Sequence, residues 1–199
     1  MEALVPIMFA SVAGVGHAFE PDHLLAVGNM VSRRDSIALA LRDGIYWGLG
    51  HTTMLVLMGS VIILSRATFL TSGYFEAAVG VLLIALGLSR LVGWNKPVNV
   101  RPARYQHRLA YTVGLLHGLA GSGALVLLVM SEIRQVLPSI LYMLVFGAGS
   151  ILGMFVVAGL CSIPFTRRMK INKHLKFSSI FLSSALCIGY GAWMVAQNV

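Results

Sequence analysis

Four side chains able to hold a metal ion or a proton fall within seven residues of one another: His17, Glu20, Asp22 and His23, in the stretch GVGHAFEPDHLLAVG from Gly14 to Gly28. Imidazole and carboxylate together suit Ni, Co, Zn, Fe or Cu(II). No thiolate accompanies them, which argues against Cu(I) and against a tight soft-metal trap. The surroundings are strongly apolar, and ionisable residues inside such a span mark a substrate or ion path. Pro21 sits among the four. It lacks a backbone donor and clashes with the preceding turn, so the helix should break or kink there. On an unbroken helix His17 and His23 would lie about 240° apart and could not share a ligand. A break would let both imidazoles and the Asp22 carboxylate turn toward one point. This pattern predicts a midplane cation site on a discontinuous helix.

Two further histidines, His51 and His117, also fall in apolar stretches, whereas His107 and His174 fall in basic loops and are expected to be solvated. A lone intramembrane histidine is ordinarily a packing residue, and that reading applies to His51 and His117 taken singly. Asp22 has a plain alternative as an N-cap for the helix restarting at Pro21. Glu20 could be a ligand, a proton carrier or a cap.

The elements that must position these groups follow from composition. The chain has 199 residues, of which 57% are hydrophobic and 11% charged, which defines an integral membrane protein without room for a separate soluble domain. The N-terminus, MEALVPIMF, lacks the basic region of a signal peptide, so the first span is expected to be retained. Cys161 and Cys187 fall in late apolar spans and read as small buried hydrophobes. Six apolar segments can be drawn: Leu4–Met30, Gly44–Leu64, Gly73–Val92, Leu109–Met130, Pro138–Pro164 and Leu175–Ala196. The fold class expected is all-α and polytopic, with six transmembrane helices.

The basic residues sort by loop. Arg33, Arg34 and Arg42 follow the first span, Arg90, Lys96, Arg101, Arg104 and Arg108 follow the third, and Arg167, Arg168, Lys170, Lys173 and Lys176 follow the fifth. Only Arg66 and Arg134 lie in the other two loops. The positive-inside rule then puts the basic loops in the cytoplasm and both termini outside, in a plasma (inner) membrane. The net charge of +8 accordingly speaks for membrane orientation and not for nucleic acid.

The two halves echo each other. GVGHAFEPDHLLAV matches VGLLHGLAGSGALVL with His17 over His117, WGLGHTTM matches FGAGSILGM with His51 over Ser150, and FEAAVGVLLIALGLSRL matches FSSIFLSSALCIGYGAW with Phe75 over Phe177. The offsets of 100, 99 and 102 are nearly constant. A unit of three spans must be inverted in its tandem copy, the plan of many transporters. Repeat one covers about 1–93, a cytoplasmic loop about 94–108 and repeat two about 109–199. Gly118, Gly121, Ser122 and Gly123 then suggest a second break, in the fourth span, with tight helix packing as the plain alternative. Gly44–Gly48 and Gly149–Gly153 fit close packing alone.

HAFEPDH, an H-x-x-x-x-D-H sequence, resembles the signature of the nickel/cobalt permease family (NicO), and GLGHTTMLV resembles that family's second motif. HAFEPDHLLAV together with HGLAGSGAL is most similar to the short UreH-like branch. The chain has fewer spans than the long permeases and lacks their acidic motif in the fourth span. The resemblance implies a transporter of Ni2+ or Co2+, with His17, Asp22, His23 and His51 as metal-contacting residues and His117 as the matching position of the second half. Glu20 joins them as a candidate ligand. No prosthetic group is implied; the partners are the transported ion and the bilayer, and a homo-oligomer is compatible with the sequence.

Three other classes fit the residues less well. A membrane acyltransferase uses His and Asp at the H-x-x-x-x-D spacing of His17 and Asp22, but needs a wet surface and a basic anion-binding motif, and none follows. A two-cysteine electron carrier would need a cysteine in spans one and four, which lack one. An exporter of a small solute would not need the histidines. The reading is therefore a non-enzymatic transporter working by alternating access, with ligands that bind deprotonated, so that uptake weakens as pH falls.

Overall fold

The computed structural model describes residues 4–34, 36–65, 73–93, 103–132, 136–165 and 173–199; for 4–7, 103–104, 121–132 and 173–176 it describes the backbone alone. The helices are α1 (Leu4–His17), α2 (Pro21–Val31), α3 (Ile37–Ser65), α4 (Tyr74–Val92), α5 (Ala103–Glu132), α6 (Val136–Ser162, followed by the short 3-10 turn Ile163–Phe165) and α7 (Lys173–Asn198). The protein is an all-α polytopic membrane protein. Among the described residues, Ile37–Ser65, Tyr74–Val92, Val136–Phe165 and Phe177–Asn198 are each long and apolar enough to cross a bilayer. Large apolar side chains such as Leu57, Leu64, Leu137, Leu152 and Leu182 face outward, while His23, His51, His117, Asp43 and Ser150 are buried. That polarity suits a lipid surround, where the exterior gains nothing by being polar and every buried polar group needs an internal partner.

The first span is broken where the proline predicts. Glu20 is the N-cap of α2, with extended backbone, and Pro21 opens the helix. Proline at that position loses no bond, because the first amide of a helix is unpaired anyway. The turn between the helices is held by the Phe19 amide on the Gly16 carbonyl (2.9 Å) and the Glu20 amide on the His17 carbonyl (3.1 Å).

The fourth span is not broken. α5 runs continuously from Ala103 to Glu132, through Gly118, Gly121, Ser122 and Gly123. The reason is that glycine, unlike proline, keeps its N–H and can remain in the i→i−4 ladder. Gly118 serves close approach instead, since a methyl group there would strike the His51 carbonyl. The surroundings of Gly121, Ser122 and Gly123 lie outside the described side chains.

Glycine contacts set the helix directions. Gly44 and Gly48 lie on Met154 and Ile151 of α6, and Gly147 lies on Thr52, so α3 and α6 are antiparallel. Thr52 Oγ1 donates to the Gly147 carbonyl at 3.1 Å. Gly50 abuts the Tyr111 carbonyl, Gly114 that of Trp47 and Gly118 that of His51, so α3 and α5 are parallel. Gly149 abuts the Ser11 carbonyl and Gly153, four residues on, that of Val15, so α1 and α6 are parallel. Gly80 and Gly191 each face the other's carbonyl, joining α4 and α7 antiparallel. α1 and α6 therefore run one way and α3 and α5 the other, and α4 and α7 oppose each other.

These contacts also recur in pairs. Gly14 against Phe146 and Ser150 corresponds to Gly114 against Trp47 and His51, and Gly149 on Ser11 corresponds to Gly50 on Tyr111, always displaced by 99 or 100 residues. α1, α3, α5 and α6 form one tightly joined group. α4 and α7 form another, and α2 lies between, against α7, α6 and α4.

Candidate metal centre

The break in the first span turns His23 back toward His17. Their ring centroids are 4.4 Å apart. His51, from the middle of α3, lies 5.0 Å from His17 and 5.2 Å from His23. His117, from α5, lies 5.3 Å from His23 on its other side. One nitrogen from each of His17, His23 and His51 falls within 4.8 Å of the other two. His23, His51 and His117 are at most 1% exposed.

The hydrogen bonds divide the ring nitrogens into two sets. His17 Nδ1 lies 2.8 Å from Glu20 Oε1, and His23 Nδ1 lies 3.0 Å from Asp22 Oδ1. An ionised carboxylate only accepts, so in each pair the imidazole Nδ1–H donates. His117 Nδ1 donates to the Val113 carbonyl at 3.2 Å. Among the described residues, Nε2 of His17, His23 and His117 and both nitrogens of His51 are buried and find no partner. Buried polar atoms are nearly always satisfied, so a cluster of orphaned lone pairs at one place calls for a ligand. A carboxylate on one ring nitrogen with the other left free is the arrangement that orients histidine toward a metal.

The six candidate ligands, His17, Glu20, Asp22, His23, His51 and His117, stand at this place; the side chain of His174 lies outside the described ones. Glu20 is the most open, with 53% of its side chain exposed, against 18% for Asp22 and 12% for His17. Glu20, Asp22 and His23 form a second trio of potential donor atoms that shares His23 with the first. Asp22 points its Oδ1 at the His23 ring, and no side-chain cap is made at the start of α2. The dyad that an acyltransferase would need between His17 and Asp22 is not assembled, because each is hydrogen-bonded to a different partner.

Sequence reasoning missed two features. The first is Trp47, fully buried one turn before His51 and in ring contact with both His23 and His117. The second is an ion network at one end of the bundle. Asp43, 1% exposed, takes Nε and Nη2 of Arg34 at 2.5 and 2.7 Å. The same carboxylate lies 2.7 Å from His107 Nδ1. His107 is therefore not a solvated loop residue. α5 starts at Ala103, ahead of the apolar run, and draws His107 in under Tyr46, on which its ring stacks at 5.0 Å. The signal lay in Asp43 itself, an acid at the very edge of a span with Arg34 nine residues before it. Arg90, also buried, donates to Ser32 Oγ at 2.8 Å and to the Ser32 carbonyl at 3.1 Å.

Fold and site together define a membrane protein built round a buried histidine cluster. No family model matches the chain, and no solved structure does. Among curated proteins, the urease accessory protein UreH of Bacillus sp. (strain TB-90) is 35% identical over a match that takes in 90% of this chain and 87% of the relative. The chain belongs to the UreH family. This is a family named for an accessory role and not for an enzyme.

Proposed function

We propose that the protein carries a divalent transition-metal ion, Ni2+ or secondarily Co2+, across the membrane through the histidine cluster. The observation that carries this reading is the convergence of unpartnered ring nitrogens from three helices at one buried point. His17, His23 and His51 hold the ion, and His117 stands beside His23 to receive it or to complete its shell. Glu20 and Asp22 fix the rings of His17 and His23 and give the site's open side its negative charge. Imidazole donors suit nickel and cobalt. The resemblance of HAFEPDH to the nickel/cobalt permeases and the relative's name, which ties it to urease, both favour nickel.

The two halves act as an inverted repeat, which the paired glycine contacts support. Alternating access then operates around a site near the pseudo-two-fold axis. The basic loops lie in the cytoplasm and both termini outside, in the plasma (inner) membrane, by the charge distribution. The test is metal accumulation in cells expressing the protein, scanned over Ni2+, Co2+, Zn2+ and Mn2+, beside His23→Ala and His51→Ala. Uptake of nickel or cobalt that both variants abolish supports the reading. Uptake unchanged in both variants refutes the site, and no change with any metal refutes the function.

A further inference from the structure

Trp47 has no assigned part in the site, yet its ring lies against two of the imidazoles. It lies four residues before His51, on the same face of α3. Its indole is parallel to the His23 imidazole, with centroids 5.9 Å apart and planes 7° apart. It meets His117 nearly at right angles, at 5.2 Å and 71°. One ring on α3 thus braces imidazoles from α2 and α5. Gly114, three residues before His117, lets α5 come up against both the Trp47 carbonyl and the edge of the indole, where a methyl group would collide with them.

Trp47 is 0% exposed, and among the described residues its Nε1–H has no hydrogen-bond partner. A buried, unsatisfied N–H costs about 1–3 kcal/mol. Phenylalanine would fill most of the space without that cost. A tryptophan here makes sense if the loaded site brings the acceptor with it. The neighbouring imidazoles cannot serve, because their free lone pairs are wanted by the ion. The acceptor that arrives with a hydrated cation is the oxygen of a retained water. A water so held adds an oxygen ligand to the imidazole set. That matters for selectivity: an all-imidazole shell of up to four ligands suits tetrahedral Zn2+, whereas Ni2+ favours shells that are not tetrahedral.

We propose that Trp47 is a positioning and selectivity-determining residue, which fixes the ring planes of His23 and His117 and holds, through Nε1–H, a water retained by the ion. The proposal rests on the reading of the histidine cluster as the ion site.

The test uses the purified full chain in detergent, with equilibrium dialysis against Ni2+, Co2+ and Zn2+ and the visible absorption of the Co2+ form. Trp47→Phe keeps a stacked ring and loses the donor. It should shift the affinity ratio toward Zn2+ by about tenfold, the worth of roughly one hydrogen bond. It should also turn the weak Co2+ bands of a higher-coordinate ion into the intense bands of a tetrahedral one. Trp47→Leu should weaken all three metals. An unchanged ratio and an unchanged Co2+ spectrum in Trp47→Phe overturn the proposal. If the variants do not fold, the protein with Trp94→Phe and Trp193→Phe leaves Trp47 as its only tryptophan. Saturable quenching of its fluorescence by Ni2+, lost in His51→Ala, supports the proposal; metal bound by dialysis without quenching overturns it. No binding of any metal by the wild-type chain refutes the ion site itself, a result distinct from failure of the Trp47 role.

Discussion

His107 Nδ1 lies 2.7 Å from Asp43 Oδ1, and the same carboxylate holds the Arg34 guanidinium with both its oxygens. The network joins the segment after α2 to α3 and α5, with Asp43 and Arg34 almost fully buried. Removing one partner of a buried ion pair leaves an uncompensated charge and costs about 3–5 kcal/mol. Asp43→Ala should therefore lower detergent thermal stability sharply. His107→Ala should cost less, about 1.5–3 kcal/mol for a lost hydrogen bond to a charged group. Thermal scans of the purified variants decide this, and an Asp43→Ala protein as stable as wild type would show that the network does not hold the helices together.

The two carboxylates beside the histidines should behave differently from the rings. Glu20→Gln and Asp22→Asn keep the shape of the side chain and lose charge behind Nδ1. Loss of such a supporting partner typically costs about 10–100-fold in metal affinity. His23→Ala and His51→Ala should abolish binding, since each removes a nitrogen that faces the ion. Equilibrium dialysis ranks the four; carboxylate variants as damaging as the histidine ones would make Glu20 and Asp22 ligands themselves.

Pro21→Ala should leave the protein inserted and expressed but impair uptake. Alanine favours helix by about 3 kcal/mol over proline in a helix interior, and a rejoined α1–α2 would rotate His17 and His23 apart. Expression and metal uptake measured together test this. Full uptake in the variant would show that the turn Ala18–Glu20 maintains itself without the proline.

The glycines give a paired prediction. A methyl group at Gly14 or Gly114 would run into the Phe146 or Trp47 carbonyl, while Gly16, Gly28 and Gly189 have open space at that point. Gly14→Ala and Gly114→Ala should destabilise the protein. Gly28→Ala should be neutral or gain about 0.5–1 kcal/mol, because alanine is the better helix residue. Thermal stability of the three variants is the measurement.

Much of this was legible in the chain. Pro21 announced the break, because a missing donor acts on backbone whatever the surroundings. The spacing of His17 and His23 announced that the break had a purpose. The continuity of α5 was not legible, because a glycine cluster fits both an opened helix and a closely packed one, and only the neighbour distinguishes them. His107 and Arg34 read as loop charges for a similar reason. Hydropathy marks where apolar side chains begin, and α5 begins earlier than that. Trp47 was silent, since a tryptophan in an apolar span looks like any other large hydrophobe until the rings on either side of it are known.

The seating of α2 has a consequence of its own. Along its shaft α2 makes two long side-chain contacts, Asn29 Nδ2 on the Ser183 carbonyl at 3.4 Å and Cys187 Sγ on the Leu25 carbonyl at 4.0 Å, and a methyl group at Gly28 would meet nothing. His17, His51 and His117 ride on helices in close backbone contact at glycines, whereas His23 rides on one seated through side chains, with Ala26, Val27 and Val31 fully buried. A cation between them would act as a keystone, tying the side-chain-seated helix to the three joined by backbone. Linkage makes the effect mutual: whatever draws α2 outward loosens the ion, and the ion, once seated, draws α2 home.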